Sequence, residues 1–314
     1  MKKWILIVSG VMVVIFFAII LFGGHYLYSE SVKRGAEVEL YRGEETVSAP
    51  AAGESSFQDT DWLNNQNMQT LTITTFDNLT LKAGFIENKS NSGKVVLLAH
   101  GYRNQKESIQ DIAALYHSMG YEILMPDARG HGESEGEYIG YGWHDRLDFQ
   151  QWIEVLMEEH EAEEIFLHGE SMGASLALMI SGEDLPEEVK GIIADSGYTT
   201  VEEELTHQLM HLYGLPSFPL LDVASFITQF RHGYTFKEAS AIEQVQKNTR
   251  PLLIIHGEDD ELVPTEMASR IYEAAGGDKE LWIVPDTGHI KAYHTEPQEF
   301  EKRLKDFITA ALEE

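Results

Sequence analysis

The chain contains no cysteine and has few basic residues for its length. The absence of cysteine among its 314 residues excludes disulfide bonds, thiol catalysis and cysteine-ligated zinc. Lysine and arginine number 23 against 52 aspartates and glutamates, which gives a formal net charge of -29. A chain this acidic repels phosphate backbones, so we expect no nucleic-acid partner. Its hydrophobic content of 43% is enough for one sizeable core or two small ones.

One long apolar run without charge stands at the N-terminus. It covers residues 4–22 (WILIVSGVMVVIFFAIILF), directly after Lys2 and Lys3. A helix of this length spans about 28 Å, close to the bilayer core of about 30 Å. The run is too long for a cleaved signal peptide, and no small-x-small cleavage site follows it. We therefore predict a cytoplasmic start and a transmembrane signal anchor over residues 1–24.

The charges that flank this run bear on membrane sidedness. Lys2 and Lys3 favour an N-terminus inside the cell, whereas Lys33 and Arg34 on the other side weaken that orientation. We predict a single-pass protein of the cell membrane with its globular domain outside the cytoplasm. Residues 25–60 are polar and poor in large apolar side chains, which predicts a linker.

Residues 61–314 form the predicted globular domain. Two β-prone runs flank Asp77 and Asn78 and predict a hairpin. From about residue 94 onward, short apolar runs alternate with amphipathic helical patterns, as in KVVLLAH (94–100) and the helix pattern that follows it. This alternation predicts an α/β fold with a mostly parallel sheet covered by helices on both faces.

One interval interrupts the alternation. Residues 198–240 contain no clear strand and include VEEELTHQLMHLYG and LLDVASFITQF, which read as helices separated by LPSFP. We predict that they form a helical cap inserted between two strands. Its aromatic residues could wall an acyl-chain pocket over Ser171 or simply pack the cap onto the body: Tyr198, Tyr213, Phe218, Phe226, Phe230, Tyr234 and Phe236.

The stretch GESMG (169–173) places Ser171 between two glycines, directly after an apolar strand and at the start of a helix. A sharp strand–turn–helix bend exposes a serine hydroxyl at the carboxyl edge of the sheet, where open α/β sheets bind ligands. The helix N-terminus adds N–H groups near developing negative charge. The alternative is a structural Gly-Ser turn.

A serine nucleophile needs a base and a carboxylate that orients the base. HGEDDELVP (256–264) places two aspartates just after a predicted strand, and DTGHI (286–290) places His289 after the last one. Since all these loops leave the same edge of the sheet, the order serine, acid, histidine predicts a catalytic triad.

The sequence resembles the α/β-hydrolase superfamily from about residue 70 to 310. The resemblance is carried by LLAHGY (97–102), PDARGHGES (126–134), GESMGA (169–174), and IHGEDDELVP (255–264) with TGH (287–289). Within the superfamily it is most similar to the serine aminopeptidase and monoacylglycerol-lipase-like group of membrane-anchored bacterial hydrolases. These motifs are specific for the fold and poorly specific for the substrate.

The resemblance implies roles for particular residues. The family pattern H-G-x-x-D-x-x-V-P falls on Asp260 rather than Asp259. The backbone N–H groups of Met172 and Tyr102 would form the oxyanion hole. The resemblance also implies that a loop set buttresses the nucleophile, and these residues are Asp127, Arg129, His131 and Ser134. Glu170 departs from the histidine of many relatives and could modulate the pH dependence.

Two weaker signals receive structural interpretations. HQLMH (207–211) has histidines four residues apart but Gln208 where a zincin motif needs glutamate, so we expect no metal. Asp195 and Ser196 end a strand near the site and are interpreted as structural.

We therefore expect a membrane-anchored serine hydrolase that cleaves carboxylic esters of short- to medium-chain acyl or acylglycerol type. Ser171, His289 and Asp260 form the predicted triad, and no cofactor is expected. The expected partners are an acyl ester and the membrane, and no obligate protein partner is evident. The alternatives are an aminopeptidase or amidase, an acyltransferase, and a non-catalytic binding protein on the same scaffold.

Overall fold

A computed structural model describes residues 2–35, 62–89 and 93–313 of the chain. Most of the predicted linker, residues 36–60, lies outside these ranges. The first helix, α1, covers Lys2–Ser31 and continues beyond the apolar run, so residues 25–31 of that predicted linker are helical. Residues 3–31 are long and apolar enough to cross a membrane. They therefore form a candidate membrane span, as the sequence indicates.

The described part of the chain forms one eight-stranded sheet in the order β1-β2-β4-β3-β5-β6-β7-β8. The strands are β1 Gln69–Thr74, β2 Thr80–Ile86, β3 Lys94–Ala99, β4 Glu122–Pro126, β5 Glu164–Glu170, β6 Val189–Asp195, β7 Leu252–Gly257 and β8 Lys279–Val284. β1 and β2 form the predicted hairpin, and β2 pairs antiparallel with β4. The pairings from β4 through β3 to β8 are parallel.

Helices cover both faces of this sheet. They are α2 Gln110–Ser118, α3 Asp145–Glu159, α4 Met172–Ile180, α5 Val201–Tyr213, α6 Leu220–His232, α7 Ala241–Val245, α8 Thr265–Ala274, α9 Ala292–Thr295 and α10 Pro297–Glu313. Alternate residues of β3 point to opposite faces because side chains alternate along a strand. Val95 belongs to the core that includes Trp152 of α3, and Val96 to the core that includes Phe300 of α10.

The strand order brings the carboxyl ends of β3 and β5 side by side. The chain leaves β3 toward β4 on one side and later continues from β5 toward β6 on the other. Such a switch point opens a crevice at the carboxyl edge of the sheet, where ligands bind in open α/β sheets. The loop after β3 and the turn after β5, which contains Ser171, both lie there.

The segment predicted as a cap lies between β6 and β7 and contains α5 and α6. An antiparallel bridge between Thr200 and Ser240 closes its base. Helix α5 begins at a capping threonine, because the Thr200 hydroxyl accepts the N–H of Glu203 at 3.0 Å.

Helix α6 packs along α1, and two glycines of α1 allow the close approach. A Cβ built on Gly23 would lie 2.8 Å from Leu220 Cδ2, and one on Gly24 would lie 2.4 Å from Val223 Cβ. Larger residues at these positions would separate the two helices. The end of α1 is therefore part of the folded domain.

Candidate active site

Ser171 occupies a strained turn between β5 and α4. Its φ is 55° and its ψ is -115°, a backbone conformation that few non-glycine residues adopt. The N–H of Ser171 donates to the carbonyl oxygen of Asp195 at 2.8 Å, which ties the turn to β6. Strain of this kind persists where the surrounding structure holds it, and it is concentrated at functional sites.

Both glycines of G-x-S-x-G are required by close backbone approach. A Cβ on Gly169 would lie 2.0 Å from the carbonyl oxygen of Gly173, and one on Gly173 would lie 2.0 Å from that of Ala99. These distances are far below any real Cβ contact. The glycines therefore let α4 start directly against β3 and β5, with Ser171 at the edge of the sheet.

The three residues of the predicted triad lie in one chain of hydrogen bonds. The Ser171 hydroxyl donates to His289 Nε2 at 2.8 Å. The Nδ1–H of His289 donates to Asp260 Oδ2 at 2.7 Å. In this tautomer Nε2 is free to take a proton from the serine, which is the arrangement that a serine nucleophile requires.

Asp260 is held as a charged acceptor. Its Oδ1 accepts the backbone N–H groups of Leu262 (3.0 Å) and Val263 (2.9 Å). Burial alone would raise the pKa of Asp260, but the electrostatic attraction to His289 and hydrogen bonds from His256 and His289 outweigh it and hold that pKa well below its usual range. The carboxylate therefore remains ionised at neutral pH. Asp259, by contrast, is exposed.

His256 is a contact of the acid to which the sequence interpretation gave no role. Its Nε2 lies 3.2 Å from Asp260 Oδ2 and 2.9 Å from the carbonyl oxygen of Val263. Burial would lower the pKa of His256, but the hydrogen bond and charge of Asp260 raise it instead. The available signal was the histidine of the quoted HGEDDELVP stretch, which is the penultimate residue of β7 and lies four residues before Asp260.

The two predicted oxyanion donors flank Ser171. Met172 is the first residue of α4, so its N–H is at a helix N-terminus. Tyr102 follows Gly101, and a Cβ built on Gly101 would lie 3.5 Å from Ser171 Cβ. The loop after β3 therefore passes close to the serine. The oxyanion role of both N–H groups stays a prediction.

The predicted buttressing loop contacts the loop after β3. Asp127 accepts the backbone N–H of Lys106 at 2.8 Å, and Lys106 Nζ also donates to its carboxylate at 2.9 Å. His131 Nε2 accepts the N–H of Arg103 at 3.1 Å. Burial, with the neighbouring His100, lowers the pKa of His131 to about 3, so its ring is neutral and can accept this bond. These contacts fit the predicted structural role.

The remaining two members of that loop are also engaged structurally. The Arg129 guanidinium contacts Asp148 at 2.7 Å and Asp77 at 2.9 Å. The Ser134 hydroxyl donates to the carbonyl oxygen of Asp127 at 2.6 Å.

Asp195 and Ser196 connect the serine turn with the histidine loop. The Ser196 hydroxyl donates to Asp195 Oδ1 at 2.8 Å and accepts the N–H of Ile290, next to His289, at 3.2 Å. Burial raises the pKa of Asp195 to about 6. Their contacts position the backbone around Ser171 and His289, in agreement with the structural interpretation.

The aromatic residues predicted in the cap divide into two groups. Tyr198, Tyr234 and Phe236 are buried and pack the segment onto the body. The others, Tyr213, Phe218, Phe226 and Phe230, are exposed. Phe226 and Phe236 line a cavity of about 220 Å³ between α5 and α6, together with polar residues such as Glu202 and Thr206. A pocket wall over Ser171 stays a prediction.

The histidines of HQLMH stack on each other, with ring centroids 5.7 Å apart. His207 Nε2 also donates to the carbonyl oxygen of Glu261 at 2.8 Å. Within the described ranges, no group of three or more histidine, aspartate or glutamate residues could hold a metal ion.

Comparison with known proteins identifies a family and several relatives of the chain. The profile of the family described as serine aminopeptidase, S33, matches residues 90–225. YqkD of Bacillus subtilis is 30% identical over 214 residues, which cover 68% of this chain and 70% of that protein. The lysophosphatidylserine lipase ABHD12 of Xenopus tropicalis is 26% identical over 234 residues, which cover 70% of this chain and 58% of the lipase.

A solved structure has the same architecture. The esterase Pf2001 of Pyrococcus furiosus superposes with a TM-score of 0.65 at 25% identity, covering 83% of this chain and 98% of the esterase.

Proposed function

Because the chain belongs to the serine aminopeptidase S33 family of the α/β-hydrolase superfamily and is a serine hydrolase, we propose that it cleaves carboxylic esters through an acyl-enzyme on Ser171. The observation that carries the proposal is the hydrogen-bond chain from Ser171 through His289 to Asp260. A serine hydroxyl alone is a weak nucleophile, and this chain supplies both a base and a carboxylate that orients it.

The mechanism has two steps. His289 Nε2 takes the hydroxyl proton while Ser171 Oγ attacks the ester carbonyl, and the resulting imidazolium then protonates the leaving alcohol. Water next attacks the acyl-enzyme with His289 again as base, and the acid is released. Asp260 holds the imidazole in the required tautomer and stabilises its positive charge in both steps.

The oxyanion of each tetrahedral intermediate lies in this proposal between the backbone N–H groups of Met172 and Tyr102. The start of α4 adds the positive end of its dipole. Preorganised donors of this kind each contribute about 10²- to 10³-fold to the rate of acyl transfer. Since both donors belong to the backbone, their side chains are free to serve other purposes.

A membrane-anchored location and a lipid-like ester complete the proposal. Residues 3–31 of α1 are long and apolar enough to cross a bilayer, and α6 packs beside their end. Phe218, an exposed residue in the turn before α6, lies close to that end of α1 because Leu220 contacts Gly23. Two relatives or neighbours act on esters by name, a lysophosphatidylserine lipase and an esterase. An acyl ester of acylglycerol type, met at the membrane surface outside the cytoplasm, is the substrate class we propose.

An aminopeptidase is the second candidate, because the family description names that activity. An exopeptidase needs a charged acid near the serine to hold the substrate amine. Glu203 is paired with Arg270 at 2.6 Å, and burial raises the pKa of both Glu170 and Glu204, so these acids are poor partners for an ammonium group. This favours the ester over the amide, and the rates on a matched ester and amide pair separate the two candidates.

The test uses the full chain in detergent. The wild type should label with a fluorophosphonate probe and hydrolyse a short-chain p-nitrophenyl ester. Ser171→Ala should abolish both without unfolding the protein, whereas Ser118→Ala, a control at the end of α2, should retain both. Substantial turnover by Ser171→Ala, or no labelling of a folded wild type, would contradict the proposal.

A further inference from the structure

The last turn of α1 ends inside the catalytic domain, against the loop that carries the proposed oxyanion donor. The final carbonyl groups of a helix have no partner within the helix and must find one elsewhere. The carbonyl oxygen of Ser31 accepts the hydroxyl of Tyr102 at 2.8 Å and that of Tyr141 at 2.7 Å. The rings of the two tyrosines stack with centroids 5.3 Å apart.

The neighbouring arginine makes a similar contact. The guanidinium of Arg103 donates to the carbonyl oxygen of Glu30 and lies 3.5 Å from that of Lys33. A cation at this position also meets the negative end of the helix dipole. Tyr102 and Arg103, two consecutive residues of the loop after β3, therefore cap the C-terminus of α1 from a distant part of the same chain.

The chain after α1 remains attached to the same region. Lys33 forms an antiparallel bridge with Tyr138, and Val32 accepts the N–H of Ile139 at 2.7 Å. The guanidinium of Arg34 donates to the carbonyl oxygens of Ser134 and Gly132, each at 2.7 Å. Residues 28–34, called here the juxtamembrane clasp, thus lie between the loop after β3 and the loop of residues 132–141.

The clasp also reaches the cap. The Tyr28 hydroxyl is 2.8 Å from Nε2 of His232, the last residue of α6. The rings of Tyr28 and His232 stack with centroids 5.9 Å apart, and Tyr28 and Val32 are fully buried. The clasp is therefore a packed part of the domain rather than a loose tether.

The backbone that the clasp holds is strained. Arg103 has a φ of 56°, which a residue with a side chain adopts only when its surroundings enforce it. His131 Nε2 fixes the Arg103 N–H on one side, and the end of α1 fixes the side chains of Tyr102 and Arg103 on the other. The direction of the Tyr102 N–H depends on this turn.

We propose that the end of α1 is a positioning element of the active site: it holds the Tyr102–Arg103 turn so that the Tyr102 N–H points at the oxyanion. This inference rests on the proposed function, because it assigns a purpose to the side chains of the oxyanion loop. Tyr102 then acts twice, through its backbone N–H on the reaction and through its hydroxyl on α1. In this proposal the end of α1 and the Tyr102–Arg103 turn are bonded to each other and move together.

The experiment compares two hydrogen bonds to the same acceptor. Tyr102→Phe and Tyr141→Phe each remove one hydroxyl from the Ser31 carbonyl, but only Tyr102 belongs to the oxyanion turn. Tyr102→Phe should lower kcat on a soluble ester by about tenfold, less than the 10²- to 10³-fold loss of an oxyanion donor because the N–H is displaced rather than removed, with KM changed less than about twofold. Tyr102→Phe combined with Arg103→Met should lower kcat further. Tyr141→Phe, and Tyr26→Phe on the exposed side of α1, should stay within about twofold of the wild type.

A second readout follows the turn itself. Amide hydrogen exchange of residues 101–104 in the full chain should accelerate in Tyr102→Phe and in the double variant, and should not change in Tyr26→Phe. Equal losses of kcat in Tyr102→Phe and Tyr141→Phe would mean that bonding to Ser31 supports the domain in general, which overturns the positioning role. An unchanged kcat in the double variant would overturn it as well.

The outcomes separate this inference from the proposed function. A wild type with Ser171-dependent turnover and insensitive Tyr102 variants defeats only the inference. A folded wild type without such turnover defeats the proposed function, and the hydrogen exchange of residues 101–104 then decides whether α1 holds the turn. Unchanged hydrogen exchange of residues 101–104 in the double variant would show that α1 does not hold the turn.

Discussion

Two neighbouring aspartates of identical chemistry have opposite surroundings in this protein. Asp260 is buried, accepts two backbone N–H groups and contacts His289 and His256. Asp259 is exposed, and its backbone N–H donates to the carbonyl oxygen of Thr287 at 2.9 Å. The tight turn after β7 therefore directs one carboxylate inward and the other to solvent. Substituting each aspartate in turn therefore tests which of the two is the acid of the triad.

We predict that Asp260→Asn lowers kcat for ester hydrolysis by about 10³-fold or more, because an amide no longer holds the Nδ1–H tautomer of His289. The same substitution at Asp259 should change kcat by less than about twofold, since surface changes away from the site have small effects. Steady-state kinetics of both variants with a soluble ester checks this. The reverse order of the two losses would assign the acid to Asp259.

At the scale of elements, helix α5 of the cap is tied to the loop that carries Asp260. Gln208 Nε2 donates to the carbonyl oxygen of Leu262 at 2.6 Å and to Glu204 Oε1 at 3.0 Å. Burial, opposed in part by the hydrogen bond from Gln208, raises the pKa of Glu204 to about 8. The cap is therefore joined to the body beside the proposed triad by Gln208, whose amide also donates to a buried carboxyl group with a pKa of about 8.

The raised pKa of Glu204 predicts a loss of stability as the pH rises. Between its ordinary value near 4.5 and about 8, this group is ionised in the unfolded chain but protonated in the folded one. Its contribution is thus fully present below about pH 4.5 and is lost as the pH rises through about 8. From pH 6 to 9 the loss is about 3 kcal/mol, or roughly 5 to 10 °C in Tm.

Glu204→Gln should remove this component, so that the Tm of the variant falls less than that of the wild type between pH 6 and 9. The matched control is Glu202→Gln, an exposed residue on the same helix, whose Tm should follow the wild type. Thermal unfolding of the full chain in detergent provides the measurement. Parallel Tm curves for Glu204→Gln and the wild type would show that Glu204 is ionised in the folded protein.

At the scale of the whole molecule, the packing of α6 against α1 determines which part of the cap lies near a membrane that α1 crosses. Leu220 and Val223 of α6 lie against Gly23 and Gly24, while His232 lies against Tyr28, so the two helices run in the same direction. The turn before α6 is therefore beside the end of the apolar run of α1. Phe218 in this turn is 74% exposed, and Phe230 on α6 is 84% exposed. If α1 spans a bilayer, Phe218 lies at the level of its surface, whereas Phe230, ten residues further along α6, lies toward the body of the domain.

We predict that Phe218→Ser lowers the activity of the reconstituted full chain on a long-chain acylglycerol in vesicles by about 3- to 10-fold, because about 1 kcal/mol of interfacial burial is lost. Hydrolysis of a short soluble ester by the same variant should be unchanged. Leu312→Ser, an exposed site on α10, is the control. Equal losses on both substrates would point to a damaged cap rather than a lost membrane contact.

Much of the fold and the identity of the candidate residues could be predicted because their signals are local. The apolar run before Ser171 and the small residues after it specify a strand, a turn and a helix within a few positions of one another. Parallel strands then place the loops of Asp260 and His289 at the same edge, so their proximity follows from topology. The hairpin at Asp77 and Asn78 and the long apolar helix at the N-terminus are equally local.

The tertiary structure alone decided the contacts between distant segments. The helix continues to Ser31 because Tyr102, Arg103 and Tyr141, more than 70 positions later, satisfy its last carbonyl groups. The sequence of residues 25–31 does not predict those partners. The contact of His256 with Asp260, the burial of Glu204 and the division of the cap aromatics into buried and exposed groups have the same origin. Hydrogen bonding and burial depend on what the folded chain brings near a residue, whereas periodicity and turn chemistry depend only on its neighbours in sequence.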